Sequence, residues 1–189
     1  MESLDFSEAM SNIVLIGYRA SGKTTVGQQV AQSLKRVFVD LDQVLEQEAG
    51  ETIAELVARE GWPEFRRREK ALVARYAEQS GLVMATGGGV VTDAENIARL
   101  KKNGLIIWLD AEPKIIQARL AQDQAEVASR PALTGGQTIY EVEEVLATRQ
   151  PLYQAAADVI ISTSQLSIDQ VVDQIIEAVR QQEAKTGGR

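Results

Sequence analysis

Residues 17–25 read GYRASGKTT, and within them Gly17, Gly22, Lys23 and Thr24 satisfy the spacing G-x-x-x-x-G-K-[ST]. Each position has a physical task. Glycines let the backbone curl until its N–H groups face an anion. The lysine reaches the outer phosphates of a nucleotide, and the threonine hydroxyl suits Mg²⁺. A helix starting here turns its positive end toward the same anion. The apolar run IVLI (13–16) precedes the motif, and Val26, Val30 and Leu34 give the following segment an apolar face. These features together predict a nucleoside triphosphate site on a strand–loop–helix unit.

The remaining chemistry must come from few residue types. The chain has no histidine and no cysteine. Imidazole acid–base catalysis, thiolate metal sites and disulfides are thereby excluded, and proton transfer falls to Asp, Glu, Lys, Tyr or water. FVDLDQ (38–43) sets Asp40 and Asp42 at a strand end, where alternation places both on one side. One carboxylate would serve the Mg²⁺ shell and the other an acceptor hydroxyl, unless Asp42 merely caps a helix from Gln43. TGGGV (86–90) follows another apolar run. Three glycines there mean a close backbone approach or a turn with positive φ. Arg66, Arg67 and Arg68 fan over more than half a helical turn, so at most one or two can face a pocket; the alternative is a solvated helix face, with Arg66 pairing Glu69 or Lys70 pairing the neighbours of Glu69. Arg149 reads either as a pocket residue or as a C-terminal charge answering a helix dipole. Arg130, before a proline in ASRPALTGG, has the setting of a lid arginine on phosphate.

The elements that must position these residues follow from the apolar pattern. IVLI (13–16), VFV (37–39), LVMAT (82–86), LIIWL (105–109) and VIIS (159–162) are continuous rather than alternating. Such runs suit strands buried on both faces of a parallel sheet. Between them lie helical patterns, the clearest being the stripe Ile168, Val171, Val172, Ile175, Ile176, Val179. Ser167/Gln170, Thr52/Glu55 and Thr138/Glu141 have capping-box spacing. Alternating β and α elements predict an α/β fold with right-handed crossovers and ligands beyond the carboxyl ends of the strands. One domain spans 1–189, which is long enough for one sizeable core. Residues 43–80 and 120–137 exceed a minimal crossover and read as a substrate-binding region and a lid; 1–10 and 183–189 read as loose tails. Net charge is −7, which disfavours nucleic acid as a partner. No apolar run has membrane-spanning length, and the acidic start lacks the basic region of a secretory signal, so a cytoplasmic, soluble protein is expected. The chain contains no guanine-selecting N-K-x-D, and it is short for a motor ATPase, which leaves a small kinase.

Together GYRASGKTT, FVDLDQ, FRRRE, ATGGGVV, RPALTG and TRQPLY resemble, in order and interval, the shikimate kinases, a family of nucleoside-monophosphate-kinase-like P-loop enzymes. The resemblance runs from about residue 13 to 182, and GWPEFR and RPALTG look closest to the second bacterial isoform type. It implies a three-layer α/β kinase with a five-stranded parallel sheet, order 2-3-1-4-5, flanked by helices. It implies Mg²⁺–ATP phosphorylating the 3-hydroxyl of shikimate, in chorismate and aromatic amino-acid biosynthesis, by a monomer. Carried over by position, Gly17, Ala20, Ser21, Gly22, Lys23, Thr24 and Thr25 hold ATP, joined by Arg130 of the lid. Thr24 and Asp40 match the Mg²⁺ positions. Asp42 and Lys23 match the catalytic positions. Asp42, Arg66, Gly87, Gly88, Gly89 and Arg149 match the shikimate contacts. Family lids often carry more basic residues before the Arg-Pro pair than 121–129 (AQDQAEVAS) does, and Arg119 is a further candidate for the adenine side. Rival readings are a kinase of the same fold acting on gluconate or a nucleotide, and a non-catalytic sensor of a shikimate-like ligand.

Overall fold

The computed structural model describes residues 11–122 and 141–186. The five apolar runs are five parallel strands: β1 (Asn12–Ile16), β2 (Val37–Asp40), β3 (Leu82–Ala85), β4 (Gly104–Asp110) and β5 (Val159–Ser162). Their order is β2-β3-β1-β4-β5, as expected. The described helices are α1 (Lys23–Leu34), α2 (Leu41–Ala49), α3 (Ile53–Ala77), α4 (Ala94–Lys102), α5 (Pro113–Gln122), α6 (Val142–Ala156) and α7 (Ile168–Thr186).

The runs are continuous because the sheet is covered on both sides. Ile13 and Leu15 pack with Val26 and Val30 of α1 and Val171 and Ile175 of α7. Val14 and Ile16 point to the other face, among Leu100, Ile116, Val145 and Tyr153. These four apolar residues of β1 are essentially inaccessible, and burying each stabilises the fold by about 1.5–3 kcal/mol. A third apolar cluster, with Leu45, Ile53, Leu56, Phe65 and Leu72, joins α2 to α3.

Register decides where the loops meet. Asp40 lies opposite Ala85, Ala85 opposite Leu15, and Ile16 opposite Trp108. Strands β2, β3 and β1 therefore end almost level, which brings Asp40, residues 86–89 and the loop from Gly17 to one edge. Within the expected substrate-binding region, α3 opens on the capping box of Thr52 and Glu55. It breaks at Gly61, whose φ of 82° and ψ of 168° are not helical, just before Pro63.

Some expectations change. Residues 183–186, read as part of a loose tail, continue α7, and Glu183 pairs with Arg36 at 2.7 Å. Ser167 and Gln170 do exchange capping bonds. The Thr138 cap, the lid beyond Gln122 with Arg130, and residues 1–10 and 187–189 lie outside the described residues. No helix among the described residues is long and apolar enough to cross a membrane.

Candidate active site

The phosphate loop leaves the centre of the sheet. Gly17 has φ 146°, and a Cβ there would lie 2.6 Å from the Leu109 carbonyl oxygen, so both conformation and space require glycine. The loop ends at Gly22, which precedes α1 without a side-chain cap, and the first turn of α1 has no acidic residue. Its positive end is left for an anion. Lys23 folds back and donates to the carbonyls of Gly17 (2.9 Å) and Tyr18 (2.8 Å). Ser21 is buried, and its hydroxyl has no hydrogen-bond partner among the described residues. Thr25 is exposed on α1.

Ala20 occupies the left-handed region at φ 59°. Its carbonyl accepts from Arg119 at 3.1 Å, and Arg119 also donates to the Thr163 carbonyl at 2.8 Å. Arg119 thus ties the loop to the end of β5. A left-handed non-glycine residue costs about 1–2 kcal/mol, and glycine's larger unfolded-state entropy returns about 0.4–1 kcal/mol of any relief. Ala20→Gly is therefore expected to raise the melting temperature by about 2–4 °C at most, in proportion to a net gain near 1 kcal/mol. Thermal melting monitored by circular dichroism checks this; a lower melting temperature would mean the methyl group makes a contact worth more than the backbone strain.

Asp40 and Asp42 are both buried but do separate things. The strand ends at Asp40 and the helix starts at Leu41, so strand alternation does not govern the pair. Asp40 is the helix cap: its Oδ1 accepts from the backbone N–H of Asp42 (3.1 Å) and of Gln43 (3.4 Å). Its Oδ2 accepts from the Thr24 hydroxyl at 2.7 Å. The cap considered for Asp42 belongs to Asp40, which leaves Asp42 in the first turn facing Gly87. Thr24 and Asp40 form a hydroxyl–carboxylate oxygen pair beside the phosphate loop, a donor set that fits Mg²⁺. Among the described residues no group of three or more Asp or Glu side chains could hold a metal alone.

Beyond this pair lies a pocket lined by Asp42, Arg66, Arg149, Gly87, Gly88 and Gly89, with Ile53, Trp62 and Phe65 as its apolar wall. Arg66 alone of the three consecutive arginines lines it; Arg67 and Arg68 turn to Glu64. The Arg66 guanidinium stands 5.0 Å from the Phe65 ring centroid and 5.6 Å from that of Trp62, and its Nη1 donates to Glu69 at 2.6 Å. Arg149 lies inside α6, which continues through Pro151, so its reading as a C-terminal charge does not hold. It donates to the Gly88 carbonyl at 3.1 Å. Gly87 and Gly89 are there for space: neither has positive φ, while a Cβ on Gly87 would come within 2.8 Å of both Asp42 and Glu69 and one on Gly89 would meet the Arg66 guanidinium.

Three polar pocket residues were not read as site residues from the sequence, and Glu69 was expected only as a helix-surface partner of Arg66. Glu69 is buried, and burial lifts its carboxyl above the ordinary value although Arg66 beside it pulls the other way. Its spacing of three from Arg66 was the available signal. Arg19, inside the phosphate loop, is buried, lines the pocket and lies 3.9 Å from Glu141. Tyr18 lines it too, and burial raises the pKa of its phenol.

Comparison with known proteins points to one family. The shikimate kinase family model matches residues 19–180. The chain is 41% identical to the shikimate kinase of Syntrophus aciditrophicus over 90% of its own length and 92% of the relative's. It is 44% identical to that of Symbiobacterium thermophilum, covering 90% and 97%. Among solved structures, the shikimate kinase of Acinetobacter baumannii in complex with shikimate superposes with TM-score 0.84 at 32% identity, covering 92% of this chain and 94% of that one. Sequence, sheet order and pocket agree, and the chain belongs to the shikimate kinase family.

Proposed function

We propose that this chain transfers the γ-phosphoryl group of ATP to the 3-hydroxyl of shikimate, giving shikimate 3-phosphate and ADP, as a cytoplasmic monomer that uses Mg²⁺. The carrying observation is the convergence of Arg66 from α3 and Arg149 from α6 on one pocket with Asp42, next to the phosphate loop. Two guanidinium groups suit a planar carboxylate. With the carboxylate held there and the ring against Ile53, Trp62 and Phe65, a ring hydroxyl is directed to Asp42. The backbone of Gly87 to Gly89 closes the pocket against the ring.

In this reading the 3-hydroxyl oxygen forms the new bond to the γ-phosphorus as the bond to the β–γ bridging oxygen breaks. Asp42 orients the hydroxyl and takes its proton as that bond forms; the displaced electron pair leaves on ADP. Lys23 shifts from the Gly17 and Tyr18 carbonyls to the phosphates, and the loop N–H groups around Ala20, Ser21 and Gly22 hold them with the Thr24 and Thr25 end of α1. Arg130 closes on the phosphates from the lid. Thr24 and Asp40 would hold Mg²⁺, which would supply neutralisation of phosphate charge. Phosphoryl transfer needs positioning and charge neutralisation more than a strong base, so the missing histidine costs nothing.

Coupled detection of ADP over an acceptor panel tests the reading. ADP release is expected with shikimate, and not with gluconate, quinate or nucleoside monophosphates, and it should stop when EDTA removes Mg²⁺. Absence of shikimate-dependent turnover would overturn it and favour the sensor reading.

A further inference from the structure

Tyr153 belongs to the TRQPLY stretch but has no part in the assignment above. It is fully buried on α6, one turn after Arg149. Its ring lies nearly parallel to that of Trp108 of β4, with centroids 5.5 Å apart and planes 21° apart. Its hydroxyl donates to the Gly88 carbonyl, the same oxygen that accepts from Arg149.

We propose that Tyr153 is a positioning residue for the acceptor: its hydroxyl fixes the Gly88–Gly89 peptide and the Arg149 guanidinium relative to each other. The geometry gives two reasons. A peptide unit is planar and trans, so its carbonyl and the next N–H point in opposite directions. With the Gly88 oxygen drawn to α6, the Gly89 N–H is turned away from α6, and it has no hydrogen-bond partner among the described residues. Gly88 and Gly89 line the pocket, so this peptide presents a donor to an oxygen of the acceptor. Second, two donors on one carbonyl share its two lone pairs. The Arg149 Nη1 bond then has a fixed oxygen to point at, which orients the rest of the guanidinium. Burial pushes the Tyr153 phenol well above its ordinary pKa, so the hydroxyl remains a donor across the working pH range.

This inference rests on the shikimate reading, and the wild-type assay separates the two. Tyr153→Phe removes one oxygen, keeps the stacked ring and leaves the Gly88 carbonyl bonded to Arg149. The expected result is a rise in the KM for shikimate of about 3- to 10-fold, the worth of one net hydrogen bond. The KM for ATP should stay within about twofold, below the effect of one such bond. Trp108→Phe is the contrasting variant, because it loosens the stack but keeps the hydroxyl; it should lower the melting temperature more and shift the shikimate KM less. Four results overturn the proposal: an unchanged shikimate KM in Tyr153→Phe, a parallel rise in both KM values, an equal shikimate effect in Trp108→Phe, or a Tyr153→Phe chain that no longer melts cooperatively. A wild-type enzyme inactive on shikimate overturns this inference together with the reading beneath it.

Discussion

Asp42→Asn is expected to lower kcat about 100-fold or more, the usual scale for losing a general acid–base group. That corresponds to about 2.7 kcal/mol of barrier. The substitution is unusually clean because the structure separates the two aspartates of FVDLDQ. Asp40 carries the helix cap and the contact to Thr24. The Asp42 backbone N–H donates to that cap whichever side chain it bears. Asn also removes a negative charge from the first turn of α2, worth about 0.3–1 kcal/mol against the helix dipole, and the Asp42 charge that faces Glu69. The catalytic loss should therefore far exceed the stability loss. Steady-state kinetics beside a melting curve distinguishes them. Near-normal turnover would leave Asp42 as a packed first-turn residue and move the proton to another acceptor.

Gly89→Ala should raise the KM for shikimate by about 10- to 100-fold, the value of hydrogen bonds to a charged group. A Cβ at Gly89 would sit 2.1 Å from Nη2 and 2.5 Å from Cζ of Arg66. Gly89 has φ −100°, which alanine adopts freely, so the effect comes from space and not from backbone strain. Arg66 must yield, and the Glu69 carboxylate and two aromatic rings hold it where it is. The guanidinium is displaced from the pocket while the fold, built elsewhere, persists. Kinetics with shikimate varied at saturating ATP reads this out. Combining the change with Arg66→Ala should add little, since both remove the same contact. An unchanged KM would mean that Arg66 does not grip the acceptor.

The sheet and the phosphate loop were legible in the sequence for a common reason: both are local patterns. A strand buried on two faces must be apolar throughout, and a phosphate loop must place its glycines, lysine and threonine within one turn of chain. The pocket was legible in its charges but not in its contacts. Arg66, Arg149 and Asp42 stood out because an acidic chain without histidine has few groups to offer. Their supports did not stand out. Glu69 looked like one more charge on a helix surface, and nothing set Tyr153 apart within TRQPLY. Its bond to Gly88 spans 65 positions of sequence, and no local spacing encodes it. The helix cap was offered to Asp42 rather than Asp40 for a related reason. Strand alternation was extended two residues past Asp40, but an aspartate that can cap a helix tends to start one, and the backbone period changes at that point.

The full burial of β1 has a bearing on how the molecule opens. Local unfolding begins where apolar contact is sparse and reaches the central elements last. The phosphate loop extends from β1, which has a strand on either side and helices over both faces. The acceptor wall is carried by α2 and α3, whose shared apolar cluster is much smaller. The opening free energy is thus divided unequally between the two halves of the site. Amide exchange would be slowest in β1 and faster in the wall, so the wall can breathe to admit and release a ring while the anion cradle keeps its shape.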